Sequence, residues 1–446
     1  MPRMASPAHT GMTRPRRFAL RGDLLDFTGD PGWSAPEQEQ GVRFRPDHLL
    51  LVEDGRILGA QPAADPLPAG DWPLEDHRGR LVMPGFIDTH VHSPQLDVIA
   101  SYGTQLLDWL ETYTFPAEAR YADEEESAAG AARFLDALLA SGTTAAVVFP
   151  TVHRASAQAL FAAAAERGMR LVAGKVLMDR NAPANLVDEV TQAERDCAAL
   201  IERWHDRDRL AYALTVRFAV TSTPEQLAMA GRLCRAYPGT YMQTHVAENV
   251  DEVKWVAQLF PKARSYLDVY HQHGLLHERS VLAHGIWLDD VDRTLLAATG
   301  AQISFCPSSN LFLGSGLFDW RAATRSGHRV SIGSDVGGGT SLSMQRTLAD
   351  AYKVQALRGE RLSAWQALHA ATRGAAQALG LAHEIGSFDA ATLADLAVWD
   401  WACGPVAQRR MSMAAHLHER VFAWMTLSDE RNLAATYVAG RPVHRR

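Results

Sequence analysis

Hydrophobic and polar residues alternate in two different ways along the chain. Near both ends, segments such as RFALRGDLLDF, HLLLVEDGRILGA and NLAATYVAGRPVH change between apolar and polar within a few residues and are broken by Gly, Pro or Asp. That pattern predicts antiparallel β-structure. The middle of the chain alternates short apolar runs with Ala- and Leu-rich stretches such as EEESAAGAARFLDALLASG, which indicates repeated βα units.

The middle region contains eight candidate core strands: GFIDTHVH, TTAAVVFPT, RLVAGKVLMD, YALTVRFAV, YMQTHVAE, SVLAHG, AQISFCP and VSIGSDV. Eight βα units predict an α/β fold, a (β/α)8 TIM-like barrel, with its functional residues at the C-terminal strand ends. We expect the two β-rich ends to pair as one small β-sandwich domain. The predicted divisions are a disordered tail at 1–16, the small domain at 17–83 and 385–446, and the barrel at 84–384.

Composition narrows the possible partners and compartment. A net charge of -7 argues against nucleic acid as the main partner, because phosphate binding needs a basic face. No apolar run reaches the roughly 18–20 residues of a membrane span, and the basic first residues lack the apolar block expected of a signal peptide. Met12 is an alternative to Met1 as the start of translation. Four scattered cysteines without CxxC indicate a reduced, cytoplasmic protein without a thiolate zinc site.

Several metal-ligating side chains fall at or near the C-terminal ends of the predicted strands. His90 and His92 are on the first strand, His245 on the fifth, His284 on the sixth and Asp335 on the eighth. Alternate strand residues share a face, so the first two imidazoles can bind one cation. Nitrogen and oxygen ligands with one position left for water are typical of a catalytic zinc site.

An isolated His-Xaa-His pair is a weak signal, and the chain offers two comparisons. The same spacing occurs at 271–273 and 416–418, in helix-like or peripheral segments that we interpret as surface pairs. The convergence of ligand types on several strands distinguishes His90 and His92 from these.

Two further residues carry candidate chemistry. Glu248 follows the fifth strand, where a carboxylate beside a metal site can act as general acid and base; the alternative is a solvated glutamate at a helix start. Arg217 is on the fourth strand. A strand arginine is usually an ion-paired edge residue, but an inward one near a metal would face an anionic or carbonyl ligand atom.

These motifs resemble the amidohydrolase superfamily, in which PGFIDTHVH, a fifth-strand His, AHG and SDV occur in this order and spacing. The resemblance is strongest to the guanine deaminase family, from about residue 80 to 385, with EIGSF and DLAVWD extending it. It is carried by HSPQL, LLDWLETYTFPAEARY, GKVLMD, VRFAVTSTPE, QTHVAENVDEV, AHGIWL, FCPSSNLFLGSGLF and GSDVGGGTSLSM.

The resemblance implies zinc-dependent hydrolytic deamination of guanine to xanthine and ammonia, as in guanine catabolism, by a cytoplasmic homodimer. It implies one zinc ion per subunit, with Fe²⁺ as an alternative ion, bound by His90, His92, His245 and Asp335. Two-metal members commonly carry a bridging Lys or Glu on the fourth strand, whereas this chain has Arg217 there and Lys175 on the third.

The resemblance also implies roles in catalysis and substrate binding. His284 would hold the hydrolytic water, Glu248 would carry protons to a ring nitrogen, and Asp335 would pass a proton to the departing amine. The residues implied in binding the purine are Gln95, Arg217, Phe218, His92, His245 and Glu248.

Two alternatives stay open. The chain could belong to a related mononuclear amidohydrolase acting on 8-oxoguanine, cytosine, a triazine or an adenosine derivative, which only the pocket loops HSPQ, DWLETYTFPAEARY and VRF disfavour. A non-catalytic scaffold on the same barrel is disfavoured because every expected ligand is present. The unrelated zinc nucleobase deaminases need a PCxxC pair that this sequence lacks.

Overall fold

The structure is a computed structural model that describes residues 16–102 and 105–446. The tail predicted at 1–16 lies outside these residues except for its last position, as does the choice between Met1 and Met12. The described strands are β1 Arg17–Phe27, β2 Val42–Glu53, β3 Arg56–Pro62, β4 Leu74–Pro84, β5 Phe86–His92, β6 Thr143–Phe149, β7 Arg170–Ala173, β8 Val176–Leu177, β9 Leu210–Val216, β10 Tyr241–Val246, β11 Ser280–His284, β12 Gln302–Phe305, β13 Arg329–Ile332, β14 Leu396–Trp399, β15 Leu433–Val438 and β16 Arg441–Arg445.

The middle of the chain folds into a barrel of parallel strands. Neighbouring strands are hydrogen-bonded in the order β13-β12-β11-β10-β9-β7-β6-β5, and the short β8 pairs with β9. Each predicted core strand overlaps one strand of this order, so the predicted barrel is confirmed. The third predicted strand is divided into β7 and β8 at Gly174, where a Cβ atom would lie 1.8 Å from the Ala213 carbonyl oxygen.

The first barrel strand meets the chain just beyond the last one at a contact that we call the seam. The backbone N–H of Asp335 donates to the His90 carbonyl at 2.8 Å, and the N–H of His92 donates to the Val336 carbonyl at 3.0 Å. The Thr89 hydroxyl donates to the Ile332 carbonyl at 3.0 Å. The seam closes the barrel and brings the two ends of the barrel sequence side by side.

Helices alternate with the barrel strands. In the predicted stretch EEESAAGAARFLDALLASG, the Asp123 side chain accepts from the backbone N–H of Glu126 at 2.9 Å and caps a helix that buries Phe134, Leu135 and Leu138. The described helices are α1 Leu106–Trp109, α2 Phe115–Ala119, α3 Glu124–Leu139, α4 Arg154–Arg167, α5 Val190–Trp204, α6 Pro224–Ala236, α7 Val250–Leu259, α8 Tyr266–Gln272, α9 Asp290–Thr299, α10 Pro307–Phe312, α11 Trp320–Arg325, α12 Met344–Leu357, α13 Ala364–Ala370, α14 Arg373–Ala378, α15 Pro405–Ser412 and α16 Leu417–Leu427.

Strands from both ends of the chain form a second, mixed sheet in the order β16-β15-β14-β4-β1-β2-β3. The two halves join where β4 runs antiparallel to β14, with Val82 opposite Val398. The predicted pairing of the two β-rich ends is therefore confirmed. All seven strands follow one continuous hydrogen-bonded path. The predicted domain limits at 84 and 385 stay predictions.

The four cysteines, Cys197, Cys234, Cys306 and Cys403, are free thiols. Over the described residues, no helix combines the length and apolar character needed to cross a membrane.

A half-buried arginine connects the barrel to the terminal sheet. Arg209 immediately precedes β9, and its guanidinium donates to the Asp395 carboxylate at 2.6 and 3.1 Å and to Glu384 at 3.1 Å. Only 2% of the Asp395 side chain is exposed, and its carboxylate also accepts from the Ala439 N–H at 2.8 Å. One carboxylate thus joins a barrel strand to the turn after β15.

We expect Arg209→Ala to lower the free energy of unfolding by about 3–5 kcal/mol, because Asp395 would be left buried without its cation. Urea denaturation followed by tryptophan fluorescence measures this. Lys254→Ala is the control, since its pair with Asp251 is 66% and 62% exposed, and we expect it to cost less than about 1 kcal/mol. Equal losses of unfolding free energy in both variants would show that the Arg209–Asp395 ion pair does not stabilise the contact between the barrel and the terminal sheet.

Candidate active site

The four side chains predicted to bind one metal ion converge at the C-terminal end of the barrel. His92 Nε2 lies 3.2 Å from both His90 Nε2 and His245 Nε2. Asp335 Oδ1 lies 3.2 Å from the Nε2 atoms of His90 and His92. A tetrahedral ion with ligand bonds of about 2.0–2.1 Å has ligand atoms about 3.3 Å apart, so the separations fit a bound cation.

The protonation of the imidazoles also fits metal ligation. His245 Nδ1 donates to the Arg217 carbonyl at 2.7 Å, which leaves the Nε2 lone pair directed at the other ligands. Burial lowers the pKa of His92 to about 4, and burial together with the neighbouring histidines holds the pKa of His245 well below its ordinary value. These rings are therefore neutral at pH 7, and their facing lone pairs would repel each other without a cation.

Asp335 is the anionic ligand of the group. Burial alone would raise its pKa, but the neighbouring histidines, His90 first, hold that pKa well below the usual range. Asp335 also forms with His90, His245 and His284 a group of ligand atoms that all lie within 4.8 Å of one another. The group is buried, so its charge needs a partner inside the protein.

A carboxylate that sequence reasoning missed holds the two sides of the site together. Asp88 shares the inward face of β5 with His90 and His92, and it accepts from the backbone N–H and hydroxyl of Ser334 at 3.0 and 2.5 Å. Burial raises the pKa of Asp88 to about 6. Its position two residues before His90, on the same strand face, is the signal that could have found it.

Non-glycine residues around the site adopt left-handed backbone conformations. The φ angles are 71° at His284, 51° at Asp335 and 48° at Ala247, directly before Glu248. Such conformations cost about 1–3 kcal/mol each and concentrate at functional sites. Two candidate catalytic residues are thus held in unfavourable backbone conformations by the fold around them.

Glu248 is buried beside the ligands, with 3% of its surface exposed, so it is not a solvated glutamate at a helix start. Its Oε2 lies 3.4 Å from His284 Nε2, while its Oε1 accepts from the Ser315 hydroxyl at 2.8 Å. Burial, followed by the Asp335 charge, raises its pKa to about 8. A proton is therefore readily exchanged at this carboxyl near neutral pH.

Glu252 fixes the backbone that carries Glu248, a role that sequence reasoning also missed. Its Oε2 accepts from the N–H groups of Glu248 and Asn249 at 3.0 Å each, and its Oε1 accepts from the Tyr266 hydroxyl at 2.6 Å. The Asn-Xaa-Xaa-Glu spacing at the start of α7 is a capping-box signal, which indicates the helix start but not the buried tyrosine contact.

His284 faces both candidate proton carriers. Its Nδ1 lies 2.8 Å from Asn310 Oδ1, and its Nε2 lies 3.6 Å from Asp335 Oδ2. The Nε2 atom has no hydrogen-bond partner within the part of the chain that the structure describes. Its placement suits a group that accepts a hydrogen bond from a water molecule.

The residues predicted to bind a purine line one pocket, next to the candidate metal ligands His92, His245 and Asp335. Gln95, Arg217 and Phe218 are 2%, 2% and 5% exposed. The pocket combines these with the polar His92, His245, Glu248 and Asp335 and with apolar walls from Leu106, Trp109, Leu110 and Leu313. Gln95 and Arg217 both bond to Glu118, a buried residue of α2 that sequence reasoning did not single out.

The other residues weighed from the sequence lie apart from the metal group. Of the two comparison pairs, His271 and His416 are exposed and His273 and His418 are half-buried, and none of the four belongs to the group of candidate metal ligands. Lys175 donates to Asp188 Oδ1 at 2.5 Å.

Comparison with known proteins places this barrel and its ligand group in a family. The chain matches the amidohydrolase family over residues 81–443 and belongs to it. The guanine deaminase of Escherichia coli is 44% identical over 96% of this chain and 98% of its own length. Its structure matches with a TM-score of 0.92, covering 97% of this chain and 100% of that one.

Two further solved structures are similar over nearly their whole length. Guanine deaminase from Bradyrhizobium japonicum is 34% identical with a TM-score of 0.92, covering 96% of this chain and 99% of that one. Guanine deaminase from C. acetobutylicum, with guanine bound in its active site, is 27% identical with a TM-score of 0.86, covering 96% of this chain and 100% of that one.

We expect His90→Ala and His245→Ala to lose most of the bound metal ion, because each removes one of four ligand atoms. Elemental analysis after dialysis gives the metal content per chain. His271→Ala removes an exposed histidine of the same His-Xaa-His spacing and should leave the content unchanged. Identical metal contents in all three variants would mean that the ion binds elsewhere.

Proposed function

We propose that this protein is a guanine deaminase, which hydrolyses guanine to xanthine and ammonia with one zinc ion per subunit. One observation carries the proposal: the buried Glu248 carboxyl lies beside the four-ligand group, at the base of a pocket lined by Gln95 and Arg217. The guanine deaminases to which the chain is similar over nearly its whole length support the same activity.

His90, His92, His245 and Asp335 would hold the ion. When bound, it supplies Lewis acidity, which makes water a nucleophile near neutral pH. A single ion is supported by Arg217 at the end of β9, where two-metal relatives carry a bridging side chain, and by the pairing of Lys175 with Asp188 away from the ligands. Zinc suits imidazole and carboxylate ligands, and Fe²⁺ is the alternative.

Glu248 carries the proton during attack. Water that adds to the purine carbon bearing the amine gives up a proton, and the adjacent ring nitrogen gains one. A carboxyl whose pKa is raised to about 8 can do both near neutral pH. Because Ser315 donates to Oε1, Oε2 is the oxygen that faces the reaction and moves the proton.

The departing ammonia needs a second proton, and its source is the hydroxyl group that the added water leaves on the ring carbon, which becomes the new carbonyl. Asp335 Oδ1 faces His90 and His92, whereas Oδ2 faces His284 at 3.6 Å, so Oδ2 is the oxygen available to pass a proton to the amine. His284, oriented through Asn310, directs Nε2 at the position of the attacking water.

Gln95 and Arg217 would hold the purine by hydrogen bonds, and Phe218 would pack against its ring. Their burial makes each unpaired polar group costly, which favours a ring that satisfies them. The homodimer and the cytoplasmic location stay predictions.

The decisive test measures conversion of guanine to xanthine and ammonia by the purified protein, with and without a chelator. We expect turnover that the chelator abolishes and added Zn²⁺ restores. An ammonia-release panel of 8-oxoguanine, cytosine, a triazine and adenosine tests the related amidohydrolase, and should favour guanine. Preference for another ring would replace the proposed substrate, and absence of both metal and hydrolysis would favour the non-catalytic scaffold.

We expect Glu248→Gln to keep its metal but to lose about 10²–10⁴-fold in turnover, because the amide cannot carry the proton. Steady-state kinetics and metal analysis on the same preparation measure both effects. Glu225→Gln is the matched control, since Glu225 is an exposed glutamate in the first turn of α6. Near-normal guanine hydrolysis by Glu248→Gln would rule out its role.

A further inference from the structure

Glu118 is a fully buried carboxylate that bonds to both side chains assigned to purine hydrogen bonding. It lies in α2, at 0% exposure. Its Oε2 accepts from Arg217 Nη1 at 2.6 Å, and its Oε1 accepts from Gln95 Nε2 at 3.1 Å. Gln95 lies just after β5 and Arg217 just after β9, so one carboxylate sets the relative positions of side chains from two separate segments.

The carboxylate also decides which way the Gln95 amide points. An ionised carboxylate only accepts hydrogen bonds, so it fixes the amide nitrogen on its own side. The amide oxygen then accepts from the backbone N–H of Gly337 at 3.2 Å. With both ends of the amide assigned, the remaining N–H and lone pair of Gln95 have fixed positions relative to the pocket.

The same helix holds the guanidinium in a second way. The Arg217 guanidinium carbon lies 5.4 Å from the centre of the Phe115 ring, in cation–π contact. Phe115 and Glu118 begin and nearly end α2, so this short helix contacts Arg217 through an aromatic face and a carboxylate. Nη1 is occupied by Glu118, which leaves other N–H donors for a ligand.

The Arg217–Glu118 ion pair is almost completely shielded from solvent, because the two side chains are 3% and 0% exposed. Removing one partner of such a pair leaves an uncompensated charge, so the arginine would have to move or find another anion. The ion pair therefore keeps Arg217 as a hydrogen-bond donor of fixed direction toward a neutral ligand. Arginine N–H groups match the O6 and N7 acceptors of a guanine ring.

We propose that Glu118 is a positioning residue for the carbonyl edge of guanine: it orients Gln95 and Arg217 so that their remaining donors meet O6 and N7. This inference depends on the proposed function, because it assigns the recognition step of the same reaction. Glu118 itself would not touch the reacting atoms.

The test compares two purines that lack the exocyclic amine and so bind without deamination. Hypoxanthine carries the O6 carbonyl, and unsubstituted purine does not. Calorimetry on the metal-loaded, full-length protein gives the affinity for each. We expect the wild type to prefer hypoxanthine and Glu118→Gln to lose about tenfold of that preference, mainly through weaker hypoxanthine binding.

Guanine kinetics supply a second measurement. Glu118→Gln should raise KM for guanine by about tenfold and change kcat less, with unchanged metal content. Glu118→Asp keeps the charge on a shorter side chain and should give an intermediate preference, which keeps the test valid if the glutamine variant folds poorly. Glu384→Gln is the control, because Glu384 also pairs with two arginines, Arg170 and Arg209, but outside the pocket.

The outcomes separate the two proposals. If Glu118→Gln weakens hypoxanthine and purine equally, or only lowers the melting temperature as Glu384→Gln does, Glu118 is structural and the positioning role is wrong while guanine deamination stands. If the wild type neither deaminates guanine nor binds either purine, the proposed function fails and the positioning role fails with it.

Discussion

Mutual repulsion among the lone pairs of neighbouring donor atoms is the constraint around which the site is built. Three imidazoles and the Asp335 carboxylate place nitrogen and oxygen atoms 3.2 Å apart in a buried site. Such an arrangement is favourable only with a positive charge at its centre. The barrel supplies it by ending several parallel strands at one edge, so residues distant in sequence meet without any of them needing a long loop.

Three buried carboxylates around this centre have a common structural role. Asp88 bonds to Ser334 next to the anionic ligand, Glu252 bonds to the backbone under Glu248, and Glu118 bonds to the two purine-facing side chains. Each accepts at least two hydrogen bonds, which offsets the cost of burying it. The candidate metal ligands, the candidate proton carrier and the side chains proposed to bind the purine are thus each contacted by a separate buried carboxyl group.

The parts of this site that the sequence predicts are those encoded by local pattern. His90 and His92 are recognisable because strand alternation fixes their shared face, and the strand ends carrying His245, His284 and Asp335 follow from the βα repeat. Glu118 is 99 residues from Arg217, and α2 is too short for its periodicity to show an inward face. Its contacts therefore depend on the tertiary fold and cannot be read from local sequence.

The same limit explains the other differences. His418 follows a polar segment that looks exposed, yet it accepts a hydrogen bond from the backbone of Ala364 in a different helix. The terminal strands alternate as half-buried strands do, but alternation does not show which strand pairs with which. The two β-rich ends join through β4 and β14, and that pairing joins residues from opposite ends of the chain.

The seam can form only late in synthesis of the chain, because it joins β5 to residues that follow β13. The first two histidine ligands are made early, but the carboxylate that completes their set, and the backbone bonds that fix it beside them, lie near the end of the barrel sequence. A nascent chain therefore carries its first imidazoles through most of translation without a complete coordination sphere. The four candidate ligands come together only when the barrel closes, so partially synthesised chains do not hold the finished site.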